Sequence, residues 1–430
     1  MERGSVSSEK FVSPSPEVYY SQFVGVHRTV ICISPQYLAF TLLELRVIHV
    51  RANTPIRIRV PFSTMTVPRK PHAPLTHDYS MALPPAITVD DPETLPPTCE
   101  PCKTSILSLF AKARSENRPL YIAAPMVRYT RLPFRLLIQR HFAVDVAYTP
   151  MMIAREFKNS KYAREADFST CKLDGPVIAQ FGAPNADELI EATDFVKDYV
   201  AGVGLNCGCP IKEQNQEGIG AVLMQRIEVV ESMVRGAREK FGRSVVLDVK
   251  IRIHSDLDRT VEFAKRVAAA GADIITVHGR LHKQRNSVPP NLEAVRRVRA
   301  AVPREIYVVA NGDCFLLADA KKIVEITGVD GVMAARGLLQ NPALFAGYEN
   351  TPWKAVELLW AYAMEYRSPF KNIQYLIVEM TQGLLTKQER ADLRLVKNYQ
   401  QMEEWLDERF IMKRRGEVGF AERDFDGYRR

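Results

Sequence analysis

The stretch TVEFAKRVAAAGADIITVHGR, Thr260–Arg280, decides the fold. Its first part reads at helical period, and DIITVHGR is a short β-rich run of the kind buried on both faces. The same pairing of helix and buried strand recurs on both sides. Upstream lie LYIAAPMV, VDVAYTPMM, PVIAQFG, GVGLNCG and VVLDVKIRI, and downstream IYVVANGD and DGVMAARG. Helical stretches such as DELIEATDFVKDYV and LEAVRRVRAAV separate most of them. Strands alternating with helices call for a parallel sheet. Eight is the number that closes a barrel, and a span of about 220 residues is near the usual size. The expected fold is therefore α/β, a (β/α)8 TIM barrel over residues 105–341. An open doubly wound sheet is the competing architecture. It would want a Gly-x-Gly-x-x-Gly turn after the first strand, and that strand ends in APMVRYT, without a glycine.

The flanks read differently. Residues 1–104 hold roughly half of the prolines, as in TVPRKPHAPLTH. Proline removes backbone donors and breaks helix and strand alike, so a low-order N-terminal extension is expected, with a short element around residues 37–50. Cys99 and Cys102 in TCEPC form one Cys-x-x-Cys, which without a second pair reads as two free thiols rather than a zinc site. Beyond Pro342 the alternation stops. Three runs at helical period over residues 342–412, ending in QERADLRLVKNYQQMEEWLDERF, predict a small helical domain, and residues 413–430 a charged tail that frays.

Composition narrows the class. Seven cysteines in 430 residues suit reduced thiols better than a disulfide framework. The apolar run YLAFTLLELRVIHV is interrupted by Glu44 and Arg46, so no membrane span is expected. The polar opening MERGSVSSEK does not read as a secretory signal. The net charge is +8. Residues 1–100 are neutral overall, which leaves the excess to the rest of the chain, where it suits a nucleic-acid partner without requiring one.

In a barrel of this kind the chemistry lies at the C-terminal strand ends. Those ends carry Pro125, Met126 and Val127; Gln180; Asn206, Cys207 and Cys209; Lys250 and Arg252; His278, Gly279 and Arg280; Asn311, Gly312 and Asp313; and Ala335, Arg336 and Gly337. The last two groups, in ANGD and AARGLLQNP, offer glycines for close backbone approach and an arginine for charge, as a phosphate site would. Lys250 needs an anionic or electron-rich partner if it points into the barrel mouth, or else faces outward between helices. His278 is open to a second reading as a core histidine. The pair in NCGCP could bind zinc only with two further ligands. His254, His278 and His282 are available, but the spacing is not a usual zinc spacing, and no metal is expected. A thiol acting as acid or nucleophile remains. Cys209, past the strand and against Pro210, is the candidate; Cys207 continues the strand and reads as core.

Taken together, AAPMVRYTRLPFRLL, LNCGCP, VKIRI, TVHGR, VANGD and GVMAARGLLQNPALFAG resemble the tRNA-dihydrouridine synthases, most of all the eukaryotic class acting on D-loop positions 20a and 20b. The resemblance spans about Pro119 to Phe410 and implies an FMN enzyme that reduces the C5–C6 bond of uridine in tRNA, with NADPH as a transient reductant. It places Pro125, Met126, Val127, Gln180, Lys250 and His278 around the flavin, and Asn311, Gly312, Asp313, Ala335 and Arg336 at its phosphate. It makes Cys209 the proton donor to C5 and sets Asn206 and Arg280 on the substrate side. The target base must leave its stack, at a cost of about a few kcal/mol, which phosphate contacts to a basic surface would offset. One departure stands out. The family follows His-Gly-Arg with threonine and an aromatic stretch, whereas HGRLHKQRNSVPPNLEAV has Leu281 and no aromatic residue. The resemblance implies a tRNA partner and no stable protein partner. A monomer in the cytoplasm is the expectation, with nucleus and mitochondrion left open. The rivals are an FMN barrel acting on a small pyrimidine and a tRNA-binding protein without catalysis.

Overall fold

Every expected strand forms. The computed structural model describes residues 105–424 and 429–430; the expectations for residues 1–104, Cys99 and Cys102 among them, lie outside the described residues. The strands are β1 (Leu120–Ala123), β2 (Val146–Tyr148), β3 (Met152–Ile153), β4 (Val177–Gly182), β5 (Gly202–Cys207), β6 (Leu247–Ile253), β7 (Ile274–Leu281), β8 (Tyr307–Asn311) and β9 (Gly331–Ala334). All pair in parallel in the order β2-β1-β9-β8-β7-β6-β5-β4, and β2 closes onto β4 through Ala147 opposite Val177 and Tyr148 opposite Ile178. Eight strands make the barrel. The two-residue β3 only extends the end of β4.

The deciding stretch folds as its pattern requires. The helix Leu257–Ala270 buries Phe263, Ala264, Val267 and Ala268, and Gly271 ends it at φ +113°, a conformation open to glycine and costly for other residues. β7 then follows with Ile274, Ile275 and Val277 fully buried. β4, β5 and β6 are buried along their whole length, as strands walled by helices outside and side chains inside must be.

The N-terminal pole of the barrel is tied by three aspartates of one design. Asp145 accepts the Tyr121 N–H at 2.8 Å and pairs with Arg118. Asp273 accepts the Leu247 N–H at 2.9 Å and pairs with Arg238 and Arg243. Asp330 accepts the Val308 N–H at 2.9 Å and pairs with Arg114 and Arg299. Each stands just before one strand and satisfies the first donors of its neighbour.

Beyond the barrel come four helices: Trp353–Glu365, Phe370–Met380, Lys387–Leu395 and Tyr399–Arg409. The run expected as one last helix is broken at Val396–Asn398, because the Asn398 side chain accepts the Gln401 N–H and starts a new helix. The first of the four lies against the helix Leu132–His141, with the Tyr362 hydroxyl 2.9 Å from His141 Nε2. The charged tail does not fray over its described part. Buried Glu357 accepts the N–H groups of Lys413 and Ala421, each at 2.9 Å, and Asp424 O accepts from Trp353 N.

Candidate active site

The C-terminal rim collects the candidate residues in two groups. The first is built on β4, β5 and β6. Asn206, at the end of β5, turns the chain: its Oδ1 accepts the N–H groups of Gly208 and Cys209 at 2.9 and 2.8 Å, and its Nδ2 donates to Gln180 Oε1 at 2.7 Å. Asn206 is thus largely spent inside the protein, with one amide hydrogen left, and its visible work is to hold the Cys209 loop. Behind that loop Gly220 sits at φ +77°, where a Cβ would stand 2.7 Å from the Cys209 carbonyl oxygen. The same carbonyl accepts the Ala221 N–H at 2.9 Å. The Cys209 peptide is therefore clasped from both sides while its side chain stays half-exposed. Burial pushes its thiol above the ordinary value, against the Ile211 backbone and the charges of Arg252 and Lys250. Cys207, by contrast, is fully buried.

Arg252 is the clamp that sequence reasoning left without a role. Its Nε donates to Gly208 O and its NH1 to Leu281 O, both at 2.8 Å. It joins the Cys209 loop to the loop that departs from the family pattern. Asn215 and His282 make a second tie between the two, at 3.3 Å. Lys250, two residues earlier on β6, is 9% exposed and points inward. Its ammonium has no ion pair with a carboxylate among the described residues, and burial, then Arg252, lowers it to about 8. Gln180 is fully buried; Nε2 of its amide has no partner. Met126 is buried with its N–H on Thr130 Oγ1, Pro125 is half-buried, and Val127 is 52% exposed at the rim.

The second group surrounds a cavity of about 170 Å³ lined by His278, Arg280, Asn311, Gly312, Asp313 and Arg336 together with Ala335 and Gly337. Asp313 bridges the two arginines: Oδ1 accepts from Arg336 at 2.6 Å and Oδ2 from Arg280. Asp313 thus stands here as the support of Arg336. Arg280, expected on the substrate side, lies buried in this group and also donates to Val288 O at 2.6 Å. It also faces His278 Nε2 at 3.2 Å. Since arginine only donates, Nε2 is the acceptor and Nδ1 carries the proton. Burial, then the charges of Lys250 and Arg252, pushes His278 down to about 2, so it is neutral at any ordinary pH. Asn311 donates to Met333 O at 3.0 Å and fixes β8 to β9. Two glycines shape the cavity wall. A Cβ at Gly337 would lie 2.1 Å from Cys314 O, and one at Gly312 2.8 Å from Pro290.

A clasped thiol and an arginine-lined cavity at the same end of a closed barrel define a barrel enzyme. Residues 122–420 match the family model described as dihydrouridine synthase, and the chain belongs to that family. It is 42% identical over 313 residues to a tRNA-dihydrouridine(20a/20b) synthase [NAD(P)+] of Saccharomyces cerevisiae, covering 72% of this chain and 85% of that one. A protein of the same name from Schizosaccharomyces pombe is 44% identical over 306 residues, 71% of this chain and 92% of its own. A mouse tRNA-dihydrouridine(20a/20b) synthase [NAD(P)+]-like protein is 38% identical over 300 residues, 69% and 90% of the two chains.

Proposed function

We propose that this chain reduces the C5–C6 bond of D-loop uridines in tRNA, of the 20a/20b kind, with FMN as resident cofactor, NADPH as reductant and Cys209 as the proton donor to C5. The observation behind the mechanism is the Cys209 loop, held by Asn206, Gly220 and Arg252 beside a buried lysine without a carboxylate. The names of the relatives support the substrate class.

The residues fit FMN. The unpartnered Nε2 of Gln180 is a buried donor awaiting an acceptor, of the sort a flavin's polar ring edge supplies, and a buried amide left open would cost about 1–3 kcal/mol. Lys250 offers positive charge next to it. Arg336 offers charge for a phosphate in a cavity whose wall is shaped by Gly312 packed on Pro290 and Gly337 packed on Cys314. When bound, FMN supplies the hydride that goes to C6 of the uracil.

The chain's own residues do the rest. Because burial raises the Cys209 thiol, it holds its proton at neutral pH and can act as an acid. Its S–H bond breaks as a C5–H bond forms, and the thiolate left behind is countered by Arg252 and Lys250. Water then restores the thiol. Neutral His278, held by Arg280, donates from Nδ1. The base enters the mouth unstacked, drawn by a chain of net charge +8. The test is to incubate the protein with FMN, NADPH and unmodified tRNA and map dihydrouridine. Dihydrouridine at 20a and 20b is expected. Reduction of free uracil or uridine in preference to tRNA, or of neither, would overturn the reading.

A further inference from the structure

One layer below the rim, β6 carries a second charge that the mechanism above does not use. Asp248 and Lys250 are two residues apart on one strand, so their side chains leave the same face about 6–7 Å apart. Asp248 is 1% exposed. Its Oδ1 accepts from Thr276 Oγ1 at 2.8 Å, while Oδ2 has no hydrogen-bond partner. Opposite it on β5 stands Gly204, with Oδ2 3.4 Å from where a Cβ would be, in ordinary contact.

The neighbours narrow what that carboxylate can serve. Around Asp248 stand Tyr148 from β2, Cys207 from β5 and Thr276 from β7, and none is a cation. The Tyr148 hydroxyl lies beside the same carboxylate as a donor and lowers it, though the two are too far apart for a full hydrogen bond. Around Lys250 stand Arg252 on its own strand, Cys209 beyond β5 and His278 on β7. Of these groups only Asp248 is a carboxylate. A buried carboxylate with an open lone pair needs a cation, and a buried ammonium needs an anion.

We propose that Asp248 is a positioning residue whose buried carboxylate keeps Lys250 an ammonium where it faces the FMN ring. The inference rests on the FMN reading above. Burial lifts Asp248 to about 7 and lowers Lys250 to about 8, so the pair titrates together near neutrality. Asp248, ahead of Cys209, raises Lys250 against burial and Arg252. Without it, Lys250 gives up its proton at lower pH.

The test is the FMN dissociation constant, followed by quenching of flavin fluorescence across the neutral and alkaline range, with thermal melting to confirm folding. In the wild type, affinity falls as pH rises through about 8. Asp248→Asn should move that midpoint down by about one pH unit. Thr276→Val, which removes the bond to Oδ1, should move it the same way by less, and stands in for Asp248→Asn if that variant does not fold. Lys250→Met should remove the step altogether. Folded variants at Asp248 and Thr276 with the wild-type midpoint, or a wild-type profile without a step, would overturn the role of Asp248 while leaving FMN binding intact. A wild-type protein that binds no FMN at any pH would instead overturn the FMN reading, and this inference with it.

Discussion

The two poles of the barrel are built by opposite rules. At the N-terminal pole each of Asp145, Asp273 and Asp330 meets a backbone N–H and at least one arginine. At the C-terminal pole polar groups are left open: Gln180 Nε2 has no hydrogen-bond partner, and Lys250 has no ion pair with a carboxylate among the described residues. Buried polar groups are normally satisfied, so an open donor beside an unpaired ammonium calls for an explanation. The closed pole holds the barrel shut; the open pole waits for ligand atoms. Changes at one pole should therefore cost stability and changes at the other chemistry.

The largest effect expected from that contrast is at Cys209. Cys209→Ala removes a half-exposed thiol whose loop is held through backbone atoms, by Asn206, Ala221 and Arg252 through Gly208. The loop should keep its shape and the protein its melting temperature. FMN binding and NADPH oxidation, which need no proton at C5, should persist. Dihydrouridine formation should fall by about 10²–10⁴-fold, the usual worth of a general acid. Single-turnover assays with pre-reduced enzyme and tRNA separate the two half-reactions. A variant that still forms dihydrouridine at the wild-type rate would remove Cys209 from the mechanism.

The poles also differ in how legible they were. The eight strands were readable because each is a short apolar run bounded by a helix, and their C-terminal ends could be listed directly from ANGD, AARG, NCGCP and HGR. The N-terminal network was not, because its partners lie far apart in the chain: Arg238 and Asp273 are separated by 35 residues, Arg299 and Asp330 by 31. Nor could alternation say whether Asp248, Lys250 and Arg252 face in or out, since all three share a face and β6 is buried on both. The roles of Asp313 and Arg280 needed three dimensions, for only their 33-residue bridge shows that the acid supports the bases. The break at Asn398 lacks the glycine or proline that usually announces one.

A middle-sized effect tests the closed pole. Asp273 is 4% exposed, and its carboxylate holds Arg238 at 2.6 Å and the Leu247 N–H at 2.9 Å. Asp273→Ala strands a largely buried guanidinium and a strand's first donor, which costs about 3–5 kcal/mol where such a pair is broken from one side. Arg243, itself well exposed, adds little. Urea unfolding should show the loss, while the folded fraction binds FMN with unchanged affinity. Equal stability of variant and wild type would mean that the aspartates do not hold this pole.

The smallest effect sharpens the boundary between the two rules. Cys207 is adjacent in sequence to Asn206 and two residues from Cys209, yet it is fully buried, and burial holds its thiol far above the ordinary range. A thiol that never ionises and never meets solvent can be neither nucleophile nor acid for a base in the mouth. It fills core space at the end of β5. Cys207→Ala should therefore cost about 1 kcal/mol of stability, as a small core truncation does, and leave FMN affinity and dihydrouridine formation at wild-type levels. Measured beside Cys209→Ala, the pair inverts cleanly: one variant loses stability and keeps the reaction, the other keeps stability and loses it. If Cys207→Ala lost the reaction while remaining folded, the division between a packing cysteine and a reacting one would fail where the two lie closest in the chain.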